Sequence, residues 1–406
     1  MQKIQAAILL AITFLAGCST ALRSEPPPAC APCPTCQACP ALSPVAVPAA
    51  PPAVFSRSFQ AGKWADLPGW ADDDVAAAWP AFILSCRGMA SKPHGQVWKR
   101  VCDLAKVAEG KPGHDPRRFF EQNLKPYAVV GGDAAVNGLV TGYYEPLLRG
   151  SRSQSKGFEQ PVRGVPDDLL TIDLSSVFPE LKDKRVRGRL EGNKVVPYWS
   201  RAEIAARGDK LPSKTLLYVD DAVELFFLQV QGSGRVKLAD GSMVRLNYGD
   251  QNGHPYQSIG RLLVDRGELK LEEASMQGIQ AWARANPARL VDLLNANPSY
   301  VFFREMPNSK DGPVGALGVP LTAERSIAVD PRSVPLGALV FLATTRPNST
   351  QSMNRLVLAQ DTGGAIKGAV RADFFWGFGK EAGEQAGRMK QSGRLWVLWP
   401  AEAAPK

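Results

Sequence analysis

Short β-rich stretches cut apart by glycine and proline limit what most of this 406-residue chain can build; it carries 37 Gly and 33 Pro. From about Leu147 to Arg266 they include Lys214–Val219, Val223–Val230 and Met243–Leu246, the punctuation expected of a small barrel. Strands return later at Tyr300–Phe303, Ser326–Val329, Ala338–Ala343, Arg355–Ala359 and Arg394–Trp399. Helices are expected elsewhere. Val97–Ala108 is amphipathic, and Asp115-Pro116 supplies an N-cap followed by proline at the first helical position. That segment closes on the strand-like Gly138–Tyr144. Glu272–Asn286 reads as a helix, and Pro287 opens another through Asn295. The fold class is therefore mainly β with helices, and the length suits two domains beyond the N-terminal part.

The N-terminus belongs to no domain. Lys3 and the apolar run Ala6–Ala16, too short to span a bilayer, form a signal segment ending in Leu15-Ala16-Gly17-Cys18. That ending is similar to a bacterial lipobox, which implies a signal peptide at 1–17 and a lipid on Cys18. Ser19, where an Asp would direct otherwise, favours the outer membrane in that class. Residues 18–54 read as a Pro- and Ala-rich tether. Within it Cys30, Cys33, Cys36 and Cys39 stand at three-residue spacing. Iron–sulfur ligation and disulfides both suit that spacing, and an oxidising compartment favours disulfides. Cys86 and Cys102 are left to pair in the globular part.

A net charge of +9 often marks nucleic-acid binding, but the export signal argues for another polyanion, and no nucleic-acid partner is expected. His94, His114 and His254 are scattered and form no metal motif, so no metal or cofactor is expected. No G-x-S-x-G elbow is present, and Gly232-Ser233-Gly234 is only a fragment of one.

Chemistry concentrates in Gln360–Gly379, QDTGGAIKGAVRADFFWGFG. Asp361 and Asp373 lie twelve positions apart with a Gly-rich turn between them, and Phe374, Phe375 and Trp376 follow the second acid. Aromatic neighbours raise a carboxyl's pKa by desolvation and offer faces on which a sugar ring can stack. Upstream, Asp330 sits at a strand end before a Pro turn in Ser326–Leu342.

These segments resemble the C-terminal three-aspartate domain of the membrane-bound lytic murein transglycosylase A family. The resemblance extends to TGYYEP (141–146), PYWSRA (197–202), FFLQVQGSG (226–234), NGHPYQSIGRLLVDR (252–266), SMQGIQAW (275–282) and NPSYVFF (297–303), in the family's order. It implies a double-psi β-barrel domain from residues 55–146 and 267–406, with a second small β-barrel inserted at 147–266 and a glycan groove between them. It also implies an outer-membrane lipoprotein acting on peptidoglycan glycan strands, within cell-wall synthesis or hydrolase complexes.

The implied reaction cleaves the β-1,4 bond after N-acetylmuramic acid and closes a 1,6-anhydro sugar. The C6 hydroxyl is the nucleophile, so one carboxyl can serve as acid and then base, where hydrolytic glycosidases use two. The family places that role on Asp373, with Asp361 and Asp330 supporting; the rival assignment makes Asp361 catalytic. A free Asp is protonated about once in a thousand at pH 7, so the acid role needs about 3–4 kcal/mol of environmental bias. Thr141, Tyr143, Gln231 and Ser233 are the expected sugar contacts. The alternatives are a hydrolytic muramidase and a non-catalytic wall-binding lipoprotein.

Overall fold

In chain order the computed structural model begins with strand β1 (Ser58–Ala61), helices α1 (Trp79–Met89), α2 (Gly95–Ala108) and α3 (Pro116–Asn123), then β2 (Leu124–Val130) and β3 (Gly138–Glu145). Next come β4 (Leu147–Ser151), β5 (Gln160–Arg163), β6 (Leu170–Thr171), β7 (Arg187–Glu191), β8 (Lys194–Pro197), α4 (Arg201–Arg207) and β9 (Thr215–Val219). They are followed by α5 (Ala222–Gln231), β10 (Ser233–Leu238), β11 (Met243–Gln251), α6 (Ile259–Asp265), α7 (Met276–Ala285), α8 (Leu290–Asn295) and β12 (Val301–Met306). The last third holds β13 (Ser326–Val329), β14 (Leu339–Thr345), β15 (Ser352–Asp361), β16 (Arg371–Phe378), α9 (Gly379–Arg388) and β17 (Lys390–Pro400). The structure describes residues 58–405 except Pro93, Lys182, Asp183 and Arg185, so Cys18 and the tether cysteines lie outside the described residues.

Six strands close on themselves. The order β17-β14-β15-β13-β16-β3 returns to its start because β3 pairs both β16 and β17. The β13–β15 and β16–β3 pairings are parallel, and the other four are antiparallel. Inside lies the main core, where Val140, Ile327, Val329, Val340, Ala372, Phe374 and Val397 are at most 1% exposed. Gly142 faces inward too, and a Cβ there would stand 2.7 Å from Trp376 Nε1 and 2.9 Å from the Ala386 backbone of α9. Helices α1 and α2 cover this barrel and are joined by the Cys86–Cys102 disulfide, Cα–Cα 5.6 Å.

A second sheet runs β12-β11-β10-β4-β9-β5, and a bridge from Gly164 to Phe303 links its two ends. The expected fold class of two β-barrels with helices holds. Strand β12 pairs β11 in this second sheet, so its pairing extends to Met306, past the expected boundary at 266. Helices α5 to α8 share one apolar cluster that includes Phe226, Leu263, Trp282 and Leu293, which explains why the chain between 267 and 300 stays on this side.

One expectation is overturned. Val223–Val230 is not a strand but most of α5. Asp221 Oδ1 accepts from Val223 N at 2.7 Å and Glu224 N at 2.9 Å, and Gly232 ends the helix at φ 79°. Apolar residues fall on more than one face of the run, interrupted only by Glu224 and Gln229, because Leu225 and Leu228 enter the second sheet's core while Val223 and Phe226 enter the helical cluster. A short, mostly apolar run gives too little period from which to read helix or strand.

The disulfide closes a separation of 16 residues, a loop for which about 3 kcal/mol of stabilisation is expected. The Cys86→Ala/Cys102→Ala variant should lose about 2–4 kcal/mol in urea unfolding. Equal unfolding midpoints for variant and wild type would show that the link carries no stability.

Candidate active site

Barrel register puts four residues in one row. Ala328 on β13 is level with Asp361 on β15 and with Asp373 on β16, and Asp373 is level with Thr141 on β3. Residues level across neighbouring strands project from the same face, and the face alternates along each strand. Thr141, Tyr143 and Glu145 therefore share a face with Asp373 and Phe375, opposite the barrel core. Tyr143, Leu321, Ala328, Ile366 and Phe375 pack there as a small apolar cluster, the Tyr143 and Phe375 rings 5.1 Å apart.

The same alternation corrects the aromatic setting. Phe374 and Trp376 turn into the barrel core, their rings 5.0 Å apart, and only Phe375 lies on the Asp373 side. All three are at most 6% exposed, so none presents a face for a sugar to stack on.

Asp373 is half-buried, and Thr141 Oγ1 donates to its Oδ1 at 2.5 Å. Arg371 Nη2 donates in turn to Thr141 Oγ1 at 2.9 Å. Burial is the first influence on the Asp373 carboxyl and pushes it up. The Thr141 bond and the Arg371 charge pull it down, the Asp361 charge pushes it up, and it settles at about 6. Asp361 is fixed at both oxygens: Tyr143 Oη donates to Oδ2 at 3.2 Å and Ala316 N to Oδ1 at 2.9 Å. Burial and the Asp361 and Asp373 carboxylates hold the Tyr143 phenol far above its ordinary value, so it stays a neutral donor.

Asp330 stands apart from this row. It is 2% exposed, and burial alone would raise its carboxyl, but hydrogen bonds from Arg332 (Nη2 2.7 Å, Nε 3.0 Å) and Gly368 N (3.0 Å) outweigh burial and lower it. It is an anchor for the Gly-rich turn between β15 and β16. Gln231, at the end of α5, accepts from Tyr144 N through Oε1 at 3.1 Å, which ties the second sheet's segment to β3. Ser233 is 8% exposed at the start of β10.

Two features escaped the sequence reading. Arg371 precedes Asp373 by two residues and so shares its face, which a period-two reading of RADFFWG contains. Glu145 and Arg235 form the other. Arg235 Nε donates to the 1%-exposed Glu145 at 2.9 Å, and its guanidinium sits 4.6 Å from the Phe378 ring. Burial raises the Glu145 carboxyl and the Arg235 charge only partly offsets it. Both line a cavity of about 310 Å³ together with Phe375, Phe378 and Lys310, so strands of both sheets border it. Their separation of ninety positions leaves no local signal. Among the described residues no group of three or more His, Cys, Asp or Glu is placed to hold a metal ion, and no helix is long and apolar enough to cross a membrane.

The chain is similar to known proteins over most of its length. The model of the MltA specific insert domain matches residues 139–304, and that of the 3D domain matches residues 325–399. Membrane-bound lytic murein transglycosylase A of Escherichia coli (strain K12) is 34% identical over 301 residues, 72% of this chain and 74% of the relative. The crystal structure of MltA from Neisseria gonorrhoeae, 42% identical, superposes with a TM-score of 0.74 and covers 86% of this chain and 94% of that one. The structure of Escherichia coli MltA with bound chitohexaose is 30% identical, with a TM-score of 0.61 over 81% of this chain and 91% of that one.

The raised Asp373 pKa predicts a stability signature. The folded state holds the proton more tightly than the unfolded chain, so ionising Asp373 as pH rises through about 6 costs the fold stability. Asp373→Asn should therefore be the more stable protein at about pH 7.5, by up to about 3 kcal/mol, and the gap should close by about pH 4. Urea unfolding at the two pH values measures it; a gap independent of pH would mean that Asp373 is not desolvated.

Proposed function

The chain belongs to the membrane-bound lytic murein transglycosylase A family, and from that premise we propose that it cleaves peptidoglycan glycan strands with Asp373 as its single acid and base. The observation that carries this reading is the carboxyl itself, held at about 6 on the face opposite the barrel core. At pH 7 about one such carboxyl in ten is protonated, against one in a thousand for a free aspartate. The binding of chitohexaose, an oligosaccharide, to the Escherichia coli relative supports a glycan as the ligand.

The two oxygens of Asp373 have separate tasks. Oδ1 is occupied by the Thr141 hydroxyl, which leaves Oδ2 to carry the proton toward the glycosidic oxygen. As that bond breaks, the carboxylate is stabilised by Thr141 and by the Arg371 charge behind it. It then takes the proton of the C6 hydroxyl while O6 bonds to C1, giving a 1,6-anhydro-N-acetylmuramic acid end. No water enters, and an intramolecular nucleophile gains from proximity. Asp361 is fully engaged by Tyr143 and Ala316, which favours a supporting role for it and weighs against the assignment of catalysis there. Thr141 and Tyr143 share the Asp373 face of β3, and Gln231 is bonded to the next residue of that strand; these three and Ser233 are read as positioning the sugar and the strand beneath it.

Asp373→Asn should reduce cleavage of purified peptidoglycan by about 10²–10⁴-fold while the variant stays folded. Mass spectrometry of wild-type products should show anhydro ends with chelator present. Reducing ends in their place would identify a hydrolytic muramidase. Activity should fall as pH rises through about 6, and Thr141→Val, which removes a bond that favours the charged form, should move that limb upward.

The address is a proposal of the same kind. Cys18, outside the described residues, is read as the lipid-bearing residue that holds the protein at the outer membrane. Cys18→Ser should shift it from the outer-membrane to the soluble fraction with cleavage intact; undiminished membrane retention would rule out the lipid anchor.

A further inference from the structure

A larger cavity, of about 640 Å³, lies against the barrel away from Asp373. One wall is the segment carrying Asp72 and Asp74, and the other is the β14–β15 connection with Arg346. Its floor is rigid and already satisfied. Arg325 Nη1 donates to both Asp73 oxygens at 3.0 Å with both side chains at most 7% exposed, Asp73 Oδ2 also accepts from Leu356 N at 2.8 Å, and Arg325 Nη2 donates to Asp74 O at 2.8 Å. Glu324 is paired with Arg355. Removing these two internal pairs leaves two carboxylates, Asp72 and Asp74, and one guanidinium, Arg346, bordering the same cavity. Among the described residues none of the three side chains has a hydrogen-bond or ion-pair partner.

The cavity adjoins the one beside Phe375, which shares the Asp373 face of β16, although Asp373 itself lines neither. Thr322 and Ala323 line both it and the smaller cavity that contains Phe375 and Phe378. Next to them Glu324 holds φ at 59°, a left-handed conformation that costs a glutamate energy, and its N–H donates to Phe375 O at 2.7 Å. That bond fixes the shared wall to the strand that carries Asp373.

We propose that this cavity receives the peptide borne by the glycan, with a free carboxylate of the peptide on Arg346 and a free ammonium group on Asp72 and Asp74. A purely anionic ligand would meet two unpaired carboxylates, and a purely cationic one would meet the guanidinium. A zwitterionic chain satisfies both walls and is oriented by them. The inference rests on the reading of glycan cleavage at Asp373, because the shared Thr322–Ala323 wall is what places both cavities along one substrate.

The test compares peptide-bearing glycan strands with the same strands stripped of peptide by an amidase. Loss of one charge-assisted contact in Arg346→Ala should raise KM on peptide-bearing strands about tenfold, with kcat within about twofold. On stripped strands neither constant should move, and Arg346→Lys should recover most of the loss. A change of equal size on both substrates, or none on either, overturns the proposal. Calorimetry with the released peptide separates it from the cleavage reading. Peptide that binds the intact protein, and binds Arg346→Ala about tenfold more weakly, supports the cavity even if no glycan is cut. Absence of peptide binding overturns the cavity even if cleavage proceeds.

Discussion

The pairing of β3 with both β16 and β17 is the constraint on which the rest depends. It closes the barrel, and in closing it sets Thr141 level with Asp373. Register here is not free to drift, since a slip of one residue would turn Phe374 out of the core and Asp373 into it. The core therefore holds the site in place: each apolar residue locked inside fixes a polar neighbour on the outer face. Gln360 adds a second lock at the far end of the row. It is fully buried, accepts from Ser326 Oγ at 2.6 Å and donates to Ala81 O at 2.9 Å and Ser85 Oγ at 3.0 Å. Strand β15 is thus pinned to α1 one residue before Asp361.

Three aspartates on one barrel have three different environments, and those environments support the different roles proposed for them. Asp330 is the most buried and yet is held low, because Arg332 and the Gly368 amide supply what water would have supplied. Asp361 has both oxygens taken. Asp373 is the one whose desolvation is under-compensated, with a single hydroxyl donor and an arginine that acts on it by charge while donating to that hydroxyl rather than to the carboxylate. The sequence interval between Asp361 and Asp373 says nothing of this. What matters is that both flank Ala328 in the closed sheet.

Much of this was legible in the chain. Five strand positions from Tyr300 onward followed from short apolar runs between turns, but β16, the strand that carries Asp373, was not among them; the α3 start followed from Asp115-Pro116, whose carboxylate does accept from Arg117 N and Arg118 N. The segment proposed to carry the chemistry stands out through its composition. What failed did so for identifiable physical reasons. Helix α5 sends apolar residues to two cores, which blurs the period. The three aromatics after Asp373 read in sequence as its common surroundings, although a strand sends alternate residues to opposite faces. Strand β12 joined the second sheet through pairing with β11, a long-range choice that no local pattern encodes. The Glu145–Arg235 pair joins positions ninety apart, beyond the reach of any motif.

The Thr141 bond poses a final question, since it opposes the very shift that would make Asp373 useful as the proposed acid. Burial alone would carry the carboxyl higher, and a group that held its proton too firmly would be a poor donor to the glycosidic oxygen. With no burial it would sit near the ordinary aspartate value and would be too weak a base to accept the C6 proton. A single group that must do both in one cycle works best when its pKa is near the operating pH. Desolvation from the Phe375 side and the charge of Asp361 push up, Thr141 and Arg371 pull down, and the balance falls at about 6. In the proposed reaction the apparently counterproductive hydrogen bond is the counterweight that keeps one carboxyl competent for both proton transfers.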